Sequence, residues 1–487
     1  MKKAFVSAII LLGLAISPNA KAQSQSNNPL SGSVNSISTN FSDSPAFRTT
    51  PAHPVVPSAA VQTLTPVYYD DLDCECQVDP GALSQFTPTG PSAAQISDAN
   101  SNAFSPTAEV TGFFHLDGAW FDQDDQNTLT LGDINDGLAF RRTRLGVKGN
   151  VAEDINYIVE FDIAQSQARF VDVWFQANDT RLGNLRIGRF RQPFGMAELT
   201  SVRELPFLER PTTFAQSPFR QTGASLSDAT ENERGTWAIA GYRFVSDSFG
   251  NVFSDTGGYG LTTRLTRVAL EWAEDRLFHL GADYSFNNPG GGVVQLVSTN
   301  EVFVGQNPNL GPSGLSVLPI VGVPPFVNTG LVPTDNLQLF NVEGALALGR
   351  LALQSEARWA QLETTGGASA TLPGAYAQLR YMLTGETIPY NKSNGVFGRI
   401  TPANNFGKTG GMGAWEVLGR VSHIDLNDAG VEGGRLANFT AGLNWYWNRF
   451  TKFQFNWIRS ELNNPTFGDS DASTFAFRAQ LGFLSAD

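Results

Sequence analysis

The sequence predicts an all-β fold: a sixteen-stranded antiparallel transmembrane β-barrel with a long inward-folded third external loop. Three observations predict it. An export leader opens the chain, no later apolar run reaches the ~20 residues that a membrane-spanning helix needs, and a two-residue periodicity recurs from 109 to 483. The hairpin over 435–462 shows that period most clearly. Phe439, Ala441, Leu443, Trp445 and Trp447 share one parity; Asn438, Thr440, Gly442, Asn444 and Tyr446 share the other. After a tight turn at Asn448-Arg449, Phe453, Phe455 and Trp457 alternate with Lys452, Gln454 and Asn456. Successive side chains of a strand point to opposite faces, so the pattern fits a sheet with lipid on one side and water on the other. Alone it also fits an ordinary half-buried antiparallel sheet, and the rest of the chain decides between them.

Residues 1–22 read as a secretory signal peptide. Lys2 and Lys3 precede the apolar run Ala8–Ile16, and Ala20-Lys21-Ala22 supplies small residues for cleavage after Ala22. Removing Lys2, Lys3 and Lys21 with the leader deepens the formal charge from −13 to about −16. So acidic a chain makes nucleic acid an improbable partner and disfavours anionic membrane surfaces. It does not exclude anion passage, because the local field of a pore outweighs total charge. The 48 Gly and the 11 % aromatic content suit a turn-rich β protein. Residues 23–107, poor in charge and rich in Ser, Asn, Pro, Thr and Ala, read as a flexible low-complexity periplasmic extension. Within it, Cys74 and Cys76 are too close for an unstrained disulfide. Without partner ligands they do not make a metal site, so no metal or cofactor is expected.

The barrel domain is expected over 108–487. Counting forward, alternating segments place strands at 109–121, 139–149, 154–164, 170–178 and 184–191. The connection 192–234 follows, then strands at 235–245, 258–268, 276–287 and 291–300. Counting backward gives 473–483, 449–462, 435–447, 413–426, 372–385, 350–363 and 338–348. The total is sixteen. Bacterial barrels start and end on the periplasmic side with short turns there, so 192–234 becomes the third external loop. A loop this long is usually functional or disordered, and a sixteen-stranded barrel leaves an aqueous channel for it to narrow. A surface lid or trimer clamp is the other use for such a loop. The segment 387–410 stands out as an unusually long periplasmic turn.

Strand parity assigns the wall. A cation facing lipid near the midplane costs ~2–4 kcal/mol, so Arg142, Arg144 and Lys148 face the lumen while Thr143, Leu145 and Val147 face lipid. The same logic places Arg186, Arg264, Arg358, Arg380, Arg420, Lys452 and Arg478 inside. It also places Asp117, Glu160, Asp162, Asp172, Glu343, Glu356 and Glu416 there. Such a mixed wall can close on itself through transverse salt bridges, Glu160 and Asp162 lying next to Arg142, Arg144 and Lys148. It can also form a column of guanidinium groups, whose planar forks replace part of an anion's hydration shell. A usable column binds weakly at several sites, so that ions enter and leave. In the loop, Arg203, Arg210 and Arg220 are the constriction candidates, among Glu198, Glu204, Glu209, Glu231 and Glu233.

Several segments resemble the phosphate-selective porin O and P family. They are Ala139-Phe-Arg-Arg-Thr-Arg-Leu-Gly-Val-Lys-Gly149 and Arg186-Ile-Gly-Arg-Phe-Arg-Gln-Pro-Phe-Gly-Met-Ala-Glu-Leu-Thr-Ser201, the latter leading into Leu205-Pro-Phe-Leu-Glu-Arg210. Leu280–Ser285, Phe326–Gly330, Gly395–Arg399, Gly413–Asn427 and Gly442–Tyr446 follow in order. The resemblance covers about 109–483 and implies an outer-membrane porin of a bacterium with a double-membrane envelope. It implies a homotrimer that passes small anions, phosphate or polyphosphate among them, through a constriction lined by Arg and Lys. The loop holds no lysine, which leaves Lys148 and Lys452 as the only wall lysines for a phosphate site.

An enzyme is not expected. His53, His115, His279 and His423 lie far apart, and no HExxH or GxSxG occurs. His115 and His423, near strand ends, are the only candidates for a lipid-hydrolysing rim, and interfacial or lumenal histidine is the simpler reading. The alternatives to an anion channel are a general non-selective porin and a structural or adhesive barrel with a closed lumen.

Overall fold

The structure, a computed structural model, describes residues 104–483 except 165–167, 248, 252–256, 305–322 and 408–409. The signal peptide, almost all of the 23–107 extension with His53, Cys74 and Cys76, and the last four residues lie outside the described residues. No helix among the described residues is long and apolar enough to cross a membrane.

Sixteen antiparallel strands form one closed ring. They are β1 (Glu109–Gln123), β2 (Gly137–Ala152), β3 (Ile155–Asp162), β4 (Arg169–Thr180), β5 (Gly183–Arg191), β6 (Arg220–Ala229), β7 (Gly235–Arg243) and β8 (Tyr259–Ala273). Then follow β9 (Arg276–Asn288), β10 (Val332–Leu348), β11 (Leu351–Thr364), β12 (Ser369–Met382), β13 (Ala414–Asp428), β14 (Val431–Tyr446), β15 (Thr451–Asn464) and β16 (Gly468–Phe483). Each strand pairs with the next, and β16 pairs with β1 from Gly112↔Phe483 to Gln123↔Ala472, which removes every sheet edge. Some turns are as short as chemistry permits: Ala429 (φ 48°) and Gly430 (φ 86°) join β13 to β14, both in the left-handed region that two-residue hairpins favour.

The count of sixteen holds through two compensating errors. The strand expected at 291–300 does not span the ring; only Val293–Val294 and Val297–Ser298 are extended there, as two-residue pieces of the β9–β10 connection, the first paired with Val332 and Pro333 at the start of β10. A strand not expected, β6, occupies the second half of the supposed 192–234 loop. The connection is therefore 192–219, and Arg220 is the first residue of β6 rather than a loop residue. The RQTGASLSDA sequence of β6 carries too few large apolar residues for its period to show.

Alternation sorts the faces as expected. Leu145, Phe175, Leu265, Val342, Phe439 and Trp457 stand exposed on the outer face, while Asn438, Thr440, Asn444, Lys452 and Gln454 are buried on the other. Trp415 and Trp445 stack on the outer face with ring centroids 4.9 Å apart. Trp447, expected in that row, lies in the β14–β15 turn, still packed at 5.1 Å from Trp445. At the opposite ends of the strands, Leu296, Val302 and Phe326 of the β9–β10 connection pack with Phe194 and Leu208 and with Leu337, Leu362 and Leu436 of the ring. A second apolar cluster joins Met196 to Ile388, Phe397 and Ile400 of the β12–β13 connection 383–413.

Candidate functional site

The buried polar face of the ring is organised by the 192–219 connection, whose path is set at Gly195. There φ is +71°, and an added Cβ would meet the Arg358 guanidinium and the Glu356 carboxylate; only glycine fits both conditions. The Gly195 N–H donates to Asp283 Oδ2 of β9 (2.8 Å), and the Ala197 N–H donates to Glu356 Oε1 of β11 (2.7 Å). Farther along, backbone carbonyls face the ring. Pro206 O accepts from Asn444 of β14 (2.8 Å), Leu205 O from Lys452 of β15 (3.0 Å), and Glu209 O from Arg420 of β13 (3.0 Å).

Glu209 is the centre of charge. Its carboxylate accepts from Arg142 NH1 and NH2 of β2 (2.9 and 2.8 Å), from Arg141 Nε (3.1 Å) and from Arg478 NH2 of β16 (2.8 Å). Burial alone would push this carboxyl up, but Arg141, Arg142 and Arg478 outweigh it and hold it well below the usual range. Arg141 was not among the expected wall residues, because strict alternation sends it to lipid. A β-bulge explains its position: the β1 register jumps from His115↔Arg142 to Leu116↔Phe140, so Arg141 is an extra residue and both arginines reach Glu209.

The other expected wall cations are mostly paired along the ring. Arg144 bonds Asp162 (3.1 Å) and Glu160 (3.4 Å), and Arg264 bonds Glu343 (2.6 Å). Arg358 bonds Glu356 and Arg380 bonds Glu416, each at 2.7 Å. Arg420 pairs with Glu301, a residue of the β9–β10 connection that no periodicity singled out, and Arg478 also binds Asp117 (2.6 Å). Arg220 grips Asp172 with two bonds (3.1 and 2.9 Å). Lys148 is half-buried near one end of β2, opposite Glu109. His115 is buried against Gln480 (2.8 Å) on the polar face, away from lipid.

Other cations are instead held by neutral acceptors, Arg189 by Ser246 Oγ (3.1 Å) among them. Arg186 donates to Gln176 (2.9 Å) over the Trp174 ring. Arg191 donates to the carbonyls of Glu198, Leu199 and Thr200, each at 2.8 Å. Arg210 donates to Ala197 O, Glu198 O and Thr200 O at 2.7–2.9 Å, and Lys452 to Arg203 O and Leu205 O at 3.0 Å. Arg191 and Arg210 thus close the carbonyl end of the short helix Met196–Leu199. Arg203 lies over the Phe113 ring (5.5 Å). Beside them, burial pushes the Glu198 carboxyl up to about 7, against Arg358 of β11, the Ser217 hydroxyl, Arg210 and Arg191 of β5. Among the described residues, no three His, Cys, Asp or Glu side chains gather where a metal ion could be held.

A cavity opens against this group, lined by Thr200, Glu209, Arg210, Gln354, Gln378 and Arg420. The hollow is water-sized and is also lined by Ala197, Leu205, Pro206 and Pro211; its guanidinium, amide and hydroxyl groups are hydrogen-bond donors.

The sequence model of a family described as phosphate-selective porin O and P matches residues 109–483. A Porin O from Pseudomonas aeruginosa is 24 % identical over 387 residues, 72 % of this chain and 83 % of that protein. An uncharacterized protein from Caulobacter vibrioides is 28 % identical over 330 residues, 66 % of this chain; the match spans only 62 % of that relative's length. Among solved structures, an anion-selective porin from Comamonas acidovorans aligns over 78 % of this chain and all of its own, at 11 % identity and a TM-score of 0.46.

Proposed function

The chain belongs to the phosphate-selective porin O and P family, whose members are outer-membrane channels, and on that premise we propose that it is a passive channel preferring small anions, phosphate among them. The 192–219 connection folds inward as its constriction. Its hydrogen bonds to β2, β9, β11 and β13 to β16 support this, because strands so far apart around a closed ring share only the interior.

One observation carries the anion preference. Among the described residues, Arg186, Arg191, Arg210 and Lys452 hydrogen-bond no carboxylate, which favours a positive field in the interior near the constriction although the whole chain is acidic. Field lines concentrate where low-dielectric walls surround a polar path. The paired arginines add recognition geometry, and neighbouring carboxylates keep each site weak enough to release its ion. Trimer assembly in outer-membrane lipid and the leader, extension and barrel division of the chain (1–22, 23–107, 108–487) belong to the same proposal.

The test is single-channel recording in planar bilayers under a potassium chloride gradient. The expected result is stepwise conductance with a reversal potential of anionic sign. Steps with a cationic or zero potential contradict the anion preference, and absence of steps contradicts the channel in favour of a closed, structural barrel.

A further inference from the structure

We propose that the 383–413 connection clips over the rim of the barrel: its first part lies inside the ring, and Phe406 and Met412 insert among the phospholipid acyl chains of the periplasmic leaflet. Contacts with the ring place the first part. Arg264 donates to the Asn394 and Gly395 carbonyls (3.0 and 2.8 Å), and Tyr390 bonds His279 (2.5 Å). Arg264 and His279 are buried, whereas Leu265 and Leu280, the next residue of each strand, stand exposed on the outer face. Arg399 of the same part pairs with Glu204 of the 192–219 connection (2.8 Å). Beyond Ile400 the chain crosses to the other face. The Phe406 N–H donates to Trp447 O in the β14–β15 turn (2.8 Å), and the Phe406 ring lies 5.0 Å from the rings of Trp445 and Trp447. Trp445 has the outward parity of β14, between buried Asn444 and Tyr446. One connection therefore touches both faces of the sheet.

The indoles show what the second part replaces. A girdle tryptophan keeps its ring in the apolar layer and turns its N–H toward headgroups or water. Here Trp415 and Trp445 both donate to the Met412 carbonyl (3.3 and 3.0 Å). Met412 thus takes the place of a headgroup, and its side chain is left 64 % exposed, with Phe406 46 % exposed beside the same rings. Leu383, whose N–H donates to Trp415 O (2.8 Å), is exposed as well. These side chains continue the apolar outer surface of Leu379 and Val417 on β12 and β13. Single exposed apolar residues are ordinary, but a set contiguous with a lipid-facing band marks an interaction surface. Acyl chains match it in chemistry and are already the partner of that band. Lipid then fastens the second part, and the second part helps to hold the first where it backs the 192–219 connection at Glu204. This effect on current rests on the anion-channel reading; the insertion itself does not.

The test uses full-length protein with Cys74→Ser and Cys76→Ser, reconstituted in vesicles of phosphatidylcholine and phosphatidylethanolamine. A nitroxide label is placed on Met412→Cys or, as a water reference, on Asp154→Cys in the exposed β2–β3 turn at the same end of the barrel. Collision of the label with dissolved oxygen is compared with collision with a polar nickel chelate. The oxygen-to-nickel ratio is expected to be at least about threefold higher at 412 than at 154, because hydrocarbon excludes the polar reagent. Equal ratios place the residue in water, and weak collision with both reagents places it against protein, such as a second copy of the chain; either result overturns the proposal. If Met412→Cys does not fold, Phe406→Cys carries the label with the same expectation. In bilayers, Phe406→Ser with Met412→Ser is expected to raise open-channel current fluctuation at least about twofold at an unchanged reversal potential, since a segment with fewer fastenings opens locally more often. Unchanged fluctuation in a conducting variant overturns the hold on the interior part. If neither protein conducts, the anion-channel reading fails by itself, and the label alone decides the insertion.

Discussion

The 192–219 connection is fastened to the ring by buried ions: Glu209 to Arg142 and Arg478, with side chains no more than 6 % exposed. The 383–413 connection leaves from the opposite end of the strands and is fastened otherwise. Arg264 donates to its Asn394 and Gly395 carbonyls (3.0 and 2.8 Å), Tyr390 bonds His279 (2.5 Å), and Ile388, Phe397 and Ile400 form an apolar seat. Its own ion pairs, Arg399–Glu204 and Lys392–Glu271, are only partly buried. The difference separates two jobs. The 192–219 connection is thus tied down by charged side chains, whose charges lie along its path, whereas the apolar seat of Ile388, Phe397 and Ile400 holds its segment in place without adding charge there.

The largest effect is expected at the ionic attachment. Arg478→Ala takes the partner of buried Asp117 and one of the three guanidinium groups on Glu209, and breaking such a network from one side costs ~3–5 kcal/mol; the loss reads out in urea unfolding of the folded barrel. Phe397→Ala, in the apolar seat, is expected to cost about 3 kcal/mol while leaving the reversal potential unchanged, and a change in selectivity would erase the distinction between the two connections. Gly195→Ala is expected to cost about 1–3 kcal/mol and to lower conductance, since the connection must pull away from Arg358 and Glu356.

A smaller effect concerns pH. With its carboxyl raised to about 7, Glu198 is protonated at pH 6 and ionised at pH 8. Protonation removes a negative charge facing Arg358, Arg210, Arg191 and Ser217. Anion preference is therefore expected to rise as pH falls from 8 to 6, and Glu198→Gln should abolish that dependence in reversal-potential measurements.

The outer face was readable from sequence because lipid imposes one rule on every strand: large apolar side chains at alternate positions. Phe439, Trp445 and Trp457 follow it. The inner face obeys no such rule, and this is where sequence reasoning lost residues. Strand β6 was hidden because Thr222, Ala224 and Asp228 supply little apolar signal, and 291–300 misled because Val294 and Leu296 are apolar for packing among connections. The parity of Arg142, Arg144, Arg264, Arg420 and Arg478 was legible; their partners were not. Glu209 and Glu301 come from connections, where no periodicity operates, and Arg141 turns inward through a bulge that composition does not signal.

The central claim is that cations held by neutral acceptors set the field of the constriction. Its most direct test is the reversal potential, in a chloride salt gradient, of wild type against the Arg210→Gln, Lys452→Gln double variant, with folding of each checked by its resistance to heating in detergent. The account predicts an anionic reversal potential for wild type that falls by at least about half in the variant, as expected when two cations held by neutral acceptors leave a low-dielectric path. An unchanged potential in a folded, conducting variant contradicts it.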